Sequence, residues 1–175
     1  MSVIINASTT SGLVMTSDLS GVLTLQQNGV SLPNGGVAPA FSAYQSTLQT
    51  VSNATLTKVQ LQTEEFDTAS AFDSTTNYRF TPTVAGYYQV NGNVEMAITT
   101  SFVATIVYKN GSRYKDGVYA SGTSIGASAT VSTIVYLNGS TDYVELYCYQ
   151  ATALSQSTTA TQYATWFNAS LVRGA

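Results

Sequence analysis

The chain has 175 residues, 6 Lys+Arg against 9 Asp+Glu for a net charge of −3, and only 9% charged residues beside 44% hydrophobic ones. That length bounds one domain with a small appendage, the apolar share supports a packed core rather than a disordered chain, and no basic tract exists to track a phosphate backbone, which argues against nucleic acid as a partner. With no His and a single Cys, a Ser-His-Asp triad, a His-based zinc site and an intrachain disulfide are all excluded.

Residues 1–38 read differently from the rest. They hold neither a basic n-region nor a sustained apolar h-region, so no secretory signal is expected, and no stretch of the chain is apolar enough to insert in a membrane. GLVMTSDLSGVLTLQQNG reads as two short strands, residues 13–16 and 22–26, with Asp18-Leu19-Ser20-Gly21 as turn chemistry between them. Asn28-Gly29 marks a second turn and Pro33-Asn34-Gly35-Gly36 a joint. A lone hairpin of this size is marginal in water. Residues 1–38 are therefore expected to be an attachment or oligomerisation segment, and residues 39–175 the main domain.

In the main domain, residues 39–45 read as a first strand and 54–61 as a second. Residues 64–72 are irregular and acidic, and strands follow at 78–81 and 86–99. The last of these has the cleanest alternation in the chain. Tyr88, Val90, Gly92, Val94, Met96 and Ile98 fall on one parity, and Tyr87, Gln89, Asn91, Asn93, Glu95 and Ala97 on the other. Period two of this kind marks a strand with one face buried and one wet, and Gly86 before it suits a backbone turn. Residues 101–108 form a strand running into the hairpin signal Asn110-Gly111. Residues 113–119 are a short strand or loop, and 121–127 a Gly/Ser loop. Residues 128–137 and 142–150 are strands, 151–160 a polar loop, and 165–172 the last strand. Roughly eight to ten strands with no helix pattern point to an all-β sandwich of two antiparallel sheets.

Two strands carry surplus apolar character. In residues 142–150, Val144, Leu146 and Cys148 take the core parity, which leaves Tyr143, Tyr147 and Tyr149 with Glu145 as an interface or ligand surface. In residues 128–137, Ala129, Val131, Thr133, Val135 and Leu137 alternate with Ser128, Thr130, Ser132, Ile134 and Tyr136, so both faces call for cover. One cover is the opposing sheet, and a symmetry mate is the other.

Catalytic chemistry has little to stand on. Glu64, Glu65, Asp67 and Asp73 are close in sequence. Such a run reads first as a solvated loop, then as a weak cation site with hard oxygen ligands, and last as a carboxylate pair for glycoside cleavage. No catalytic residue, metal or cofactor is assigned. Ligand contact is expected in loops, with Tyr114, Asp116 and Tyr119 as the charged and aromatic candidates and residues 150–163 as a long polar one. Tyrosine faces rimmed by polar groups suit a glycan; simple anchoring of the loop is the alternative.

Several motifs occur together and in order: Phe72-Asp73, then Phe80, then Gly86-Tyr87-Tyr88, then Asp142-Tyr143-Val144, then Phe167-Asn168-Ala169-Ser170-Leu171. With them, residues 39–172 resemble the jelly roll shared by the globular head of complement component one-q and tumour necrosis factor. The departures are Ala85 and Ala169 where that family carries Pro and Gly, one extra residue between Asp73 and Phe80, and Ser140-Thr141 inserted after Gly139. The resemblance implies a jelly-roll β-sandwich and a homotrimer, and the core is expected to hold Phe80, Tyr88, Val90, Val94, Met96, Val144, Leu146 and Phe167. Residues 1–38 are similar to N-terminal segments of small fibre-like proteins of tailed bacteriophages. This implies a virion structural protein, a trimeric fibre, knob or decoration protein assembled in the host cytoplasm. It would dock on capsid or tail proteins through residues 1–38, with a host-surface glycan or protein as a further partner. A secreted or cell-surface bacterial binding module of the same fold is the alternative, and a carbohydrate-active enzyme stands last.

Overall fold

The computed structural model describes residues 15–17, 23–27, 30–31, 38–97, 102–122 and 126–175. The expected turns at 18–21 and 28–29, the joint at 33–36, the end of the alternating strand at 98–99 and the middle of the Gly/Ser loop lie outside the described residues. In the N-terminal part, β1 (Met15–Ser17), β2 (Leu23–Gln27) and β3 (Val30–Ser31) make a three-stranded antiparallel ladder, with Met15 opposite Leu25 and Gln27 opposite Val30.

The remaining strands are β4 (Ala40–Tyr44), β5 (Thr50–Val51), β6 (Thr57–Lys58), β7 (Thr63–Asp67), β8 (Phe72–Asp73), β9 (Arg79–Phe80) and β10 (Ala85–Met96), followed by β11 (Val103–Lys109), β12 (Ser112–Ala120), β13 (Ala127–Asn138), β14 (Val144–Gln150), β15 (Gln156–Ser157) and β16 (Trp166–Gly174). One sheet runs β13-β10-β16-β4-β7 and the other β12-β11-β14-β9-β8, with β6 also on β14; β5 and β15 form a small clip. Every pairing is antiparallel. Side chains of both sheets share one apolar core, and the arrangement is a jelly-roll β-sandwich. Among the described residues no helix is long and apolar enough to cross a membrane.

The long strand β10 is the spine of the first sheet. It pairs with β13 over its whole length, from Ala85 opposite Asn138 to Met96 opposite Ala127, and with β16 from Gly86 opposite Gly174 to Asn93 opposite Trp166. Tyr88, Val90, Val94 and Met96 point inward and are fully buried. Phe80, Val144, Leu146 and Phe167 are equally buried beside them. Gly86 does not make a turn; it lies within β10, next to the irregularity at Tyr87–Tyr88. A Cβ there would sit 2.4 Å from the Arg173 carbonyl oxygen, so the glycine permits close approach of the β16 backbone. At Gly92 a Cβ would lie 2.5 Å from Leu146 Cδ1, so the absent side chain leaves room for the opposing sheet.

Aromatic rings join the sheets. Phe41 of β4 stacks on Phe72 at 4.5 Å and on Phe80 at 4.6 Å, both from the other sheet, and meets Phe167 edge-on at 5.3 Å. Phe80 in turn meets Tyr88 edge-on at 5.6 Å. The Tyr88 hydroxyl donates to the Val84 carbonyl at 2.7 Å, which satisfies the one polar atom it takes into the core.

Three segments differ from the sequence reading. Residues 113–119, read as a short strand or loop, are part of the nine-residue strand β12. The hairpin at Asn110 and Gly111, with φ of 52° and 73°, launches this strand, and its exposed polar composition fits an edge position. Residues 63–67, read as irregular, form the edge strand β7, where ladder hydrogen bonds to β4 outweigh the lack of an apolar face. Residues 54–61 yield only β6, because the chain swings off β14 after two paired residues; Val59 and Leu61 are then buried while Leu56 faces solvent.

Replacing Phe41 by Ala is expected to cost about 3–5 kcal/mol in denaturant unfolding, whereas Tyr163→Ser, at 77% exposure, should stay within about 0.5 kcal/mol. Burial pushes the Cys148 thiol from 9.0 up to about 12 and the Tyr88 hydroxyl from 10.0 up to about 12. The unfolded chain therefore loses both protons first as pH rises, so unfolding free energy falls between pH 9 and 12. Urea titrations across that window should show a shallower fall for Tyr88→Phe and Cys148→Ala.

Candidate functional site

The outward face of the second sheet gathers most of the residues flagged for ligand contact. Antiparallel register sets them in rows. Tyr119 of β12 lies opposite Ala104 of β11, which lies opposite Tyr149 of β14. The next row is Asp116, Ile106, Tyr147 and, on β6, Lys58. The third is Arg113, Tyr108, Glu145 and, on β9, Arg79. Period two places alternate residues of each strand on this face, so Tyr143, Glu145, Tyr147 and Tyr149 share it.

The centre of the face is a cleft of about 310 Å³ lined by Leu56, Phe102, Ala104, Ile106, Arg113, Tyr119 and Tyr149. Ala104 and Ile106 make an apolar floor between taller neighbours. Phe102 stacks on Tyr119 at 5.0 Å and meets Tyr149 edge-on at 5.8 Å. Beyond the cleft, Tyr108 stacks on Tyr147 at 3.8 Å, and the Arg79 guanidinium lies 4.4 Å from the centre of the Tyr143 ring.

Arg113 and Tyr119, which line the cleft, form a polar triad with Asp116 beside it. Arg113 donates from Nε to Asp116 Oδ1 at 2.7 Å and from Nη2 to Oδ2 at 2.5 Å, and Nη2 also donates to the Tyr119 hydroxyl at 2.9 Å. Tyr119 donates to Asp116 Oδ2. The Arg113 hydrogen bonds, followed by that of Tyr119, hold the Asp116 carboxyl below its ordinary range. The same bond to Asp116 raises the Tyr119 hydroxyl, and Arg113 stays a cation. The triad is thus a fixed, mutually neutralised donor–acceptor pair.

On the same face but outside the cleft, Lys58 Nζ lies 2.5 Å from Glu145 Oε1 and 3.2 Å from the Asn77 carbonyl. The Glu145 side chain is 4% exposed against 32% for Lys58, so the carboxylate depends on this one cation.

Tyr114 stands apart, its hydroxyl 3.5 Å from the Ile134 carbonyl of β13, with Lys115 over its ring. The acidic run does not converge either. Glu65 accepts from Ser42 at 2.6 Å and Glu64 from Ser74 at 2.6 Å. Asp67 caps the backbone N–H groups of Ala69 and Phe72. Asp73 takes bonds from Thr75, Thr76 and Asn77 in a tight turn, and the backbone N–H donors hold its carboxyl well below the usual range. Among the described residues no group of three or more acidic, His or Cys side chains could hold a metal ion.

Phe102, Arg113, Ala104 and Ile106 were not flagged from sequence. The signal was present as a second parity, Phe102, Ala104, Ile106 and Tyr108, in a strand whose other parity is also apolar. Ligand contact was expected in loops, but here the residues stand on strands.

No family model matches the chain, and no curated protein matches it. Solved structures do. Murine APRIL at pH 5.0 is 11% identical with a TM-score of 0.60, over 77% of this chain and 99% of that one. The globular domain of zebrafish complement 1qA is 14% identical with a TM-score of 0.56, over 79% and 99%. PRD1 vertex protein P5 is 16% identical with a TM-score of 0.53, over 79% and 100%. At these identities the likeness is one of fold: over most of its length the chain has the jelly-roll fold of the complement one-q and tumour necrosis factor type.

Lys58→Ala should lower stability by about 1–3 kcal/mol, because it strands a buried carboxylate. Glu145→Gln, which keeps an acceptor for Lys58, should cost less. Urea midpoints of the two variants and of the double mutant will measure the coupling.

Proposed function

We propose that this chain is a structural protein of a bacteriophage particle, a homotrimeric knob or decoration protein. In this reading residues 1–38 dock on capsid or tail proteins, the jelly roll points outward, and the role is assembly and attachment rather than catalysis. The observation that carries the proposal is the contrast between the two outer faces.

All six cations of the chain are Lys58, Arg79, Lys109, Arg113, Lys115 and Arg173. All but Arg173 lie on β6, β9, β11 and β12 of the second sheet. The first sheet is nearly without charge across β13, β10 and β16. Its outer rows hold Tyr136 beside Tyr87, then Ile134, Gln89 and Ser170, then Ser132, Asn91 and Asn168. Ile134 is 51% exposed and Val172 59%, and Tyr87 and Tyr136 are exposed as well. Asn91 donates to Asn168 and accepts from Gln89 and Ser132, so the polar row is internally satisfied and can be covered at little cost. A surface of this kind, aromatic and aliphatic with pre-paired amides and few charges, is what a self-association interface needs.

The likeness to a vertex protein over that protein's full length supports the particle setting. So does the similarity of residues 1–38 to phage fibre segments.

Native mass spectrometry and light scattering should give three protomers, and Ile134→Asp with Tyr136→Asp should shift the protein to single protomers with its β-sheet spectrum intact. A wild-type protein that runs as a monomer at micromolar concentration would sink this reading.

A further inference from the structure

We propose that the cleft between β11, β12 and β14 is a binding site for one neutral pyranose sugar; this deepens the attachment role above and rests on it for its biological setting. The argument begins with the shape. At about 310 Å³ the cleft is at the lower end of the range for small-molecule sites, ~300–1,000 Å³. Its floor and walls are Ala104, Ile106, Leu56, Phe102, Tyr119 and Tyr149. A pyranose has one face of C–H bonds and a rim of hydroxyls, and aromatic walls beside a polar rim match both parts.

The rim chemistry selects further. A sugar hydroxyl both donates and accepts, so it is served by a donor and an acceptor held side by side. Arg113 and the Tyr119 hydroxyl, both on the lining, supply that pair, and Asp116 behind them holds both in place. Arg113 spends Nε and Nη2 on Asp116 and Tyr119, and among the described residues its Nη1 hydrogens have no partner. The Tyr119 hydroxyl donates to Asp116 and accepts from Arg113, which leaves its oxygen one lone pair for a sugar hydroxyl. The Tyr149 hydroxyl, on the opposite wall, has no partner among the described residues. The triad is pre-organised by its own bonds, so little ordering remains to be done on binding.

Charge decides between sugar classes. The guanidinium edge that would fork a carboxylate is already occupied by Asp116. A uronic or sialic acid would find the Arg113 charge already matched and would give up its hydration for single N–H donors in place of a fork. A neutral hexose meets no such penalty.

The test is a titration of the full chain with methyl glycosides of glucose, galactose and mannose, followed by backbone and aromatic NMR shifts, with methyl glucuronide alongside. Millimolar binding of at least one neutral glycoside is expected, with shifts centred on Phe102, Tyr119 and Tyr149. Tyr149→Ala and Arg113→Ala should each weaken it about tenfold. Asp116→Asn removes the screening charge, so glucuronide should gain affinity about tenfold while the neutral sugar loses it. All three positions are surface-facing, and thermal melts will confirm that the variants fold. No shift at the cleft with any neutral glycoside, or tighter glucuronide binding by the wild type, overturns the proposal. The oligomer test reads the opposite sheet, so the two fail separately. A trimer blind to every neutral sugar removes only the site, and a monomer that binds one supports the site while removing the trimer.

Discussion

Everything in the main domain depends on the ring cluster that pins the two sheets together. Phe41 stands between Phe72 and Phe80 from the facing sheet and against Phe167 in its own. β8 and β9 have only two residues each, so their ladder hydrogen bonds alone could not hold them. They stay because each contributes a phenylalanine to the stack. The burial of large flat rings thus substitutes for strand length, and it fixes Arg79 of β9 beside β14 and the Asp73 turn beside β9.

The second organising constraint is scarcity of charge. With six cations in 175 residues, where each one goes matters. Three are tied to carboxylates, Lys58 to Glu145, Lys109 to Asp142 and Arg113 to Asp116. Two more lie over tyrosine rings. The second sheet is therefore a surface of locked side chains, and the first a surface of paired amides and exposed apolar groups. The two faces thus differ in kind, one fixed by ion pairs and ring contacts and the other by amide hydrogen bonds.

Much of this was legible in the sequence because period two survives wherever one face of a strand is buried. The parities of residues 88–96, 129–137 and 144–148 placed the core residues of β10, β13 and β14 on their inner faces. Edge strands were harder. β7 and β12 have no sustained buried face, and alternation has nothing to report there. Of the cleft, Tyr119 and Tyr149 were legible, but as members of separate elements. Their convergence depends on which strand neighbours which, a long-range fact that no local pattern holds. Phe102 and Arg113 were missed for the same reason, since each matters only through partners on another strand.

The position of β16 has a consequence for how the molecule is made. This strand comes last among the described elements, yet it lies between β10 and β4, paired on both sides. Until residues 166–174 have left the ribosome, β4 has no partner toward the centre of its sheet and one edge of β10 is bare. The first sheet cannot close progressively as the chain emerges; its nucleus must join segments more than a hundred residues apart, as with Phe41 and Ala169. Such pairings make folding slow and leave strand edges exposed meanwhile. The outer rows of this sheet, which run across β13, β10 and β16, are therefore incomplete until β16 is in place.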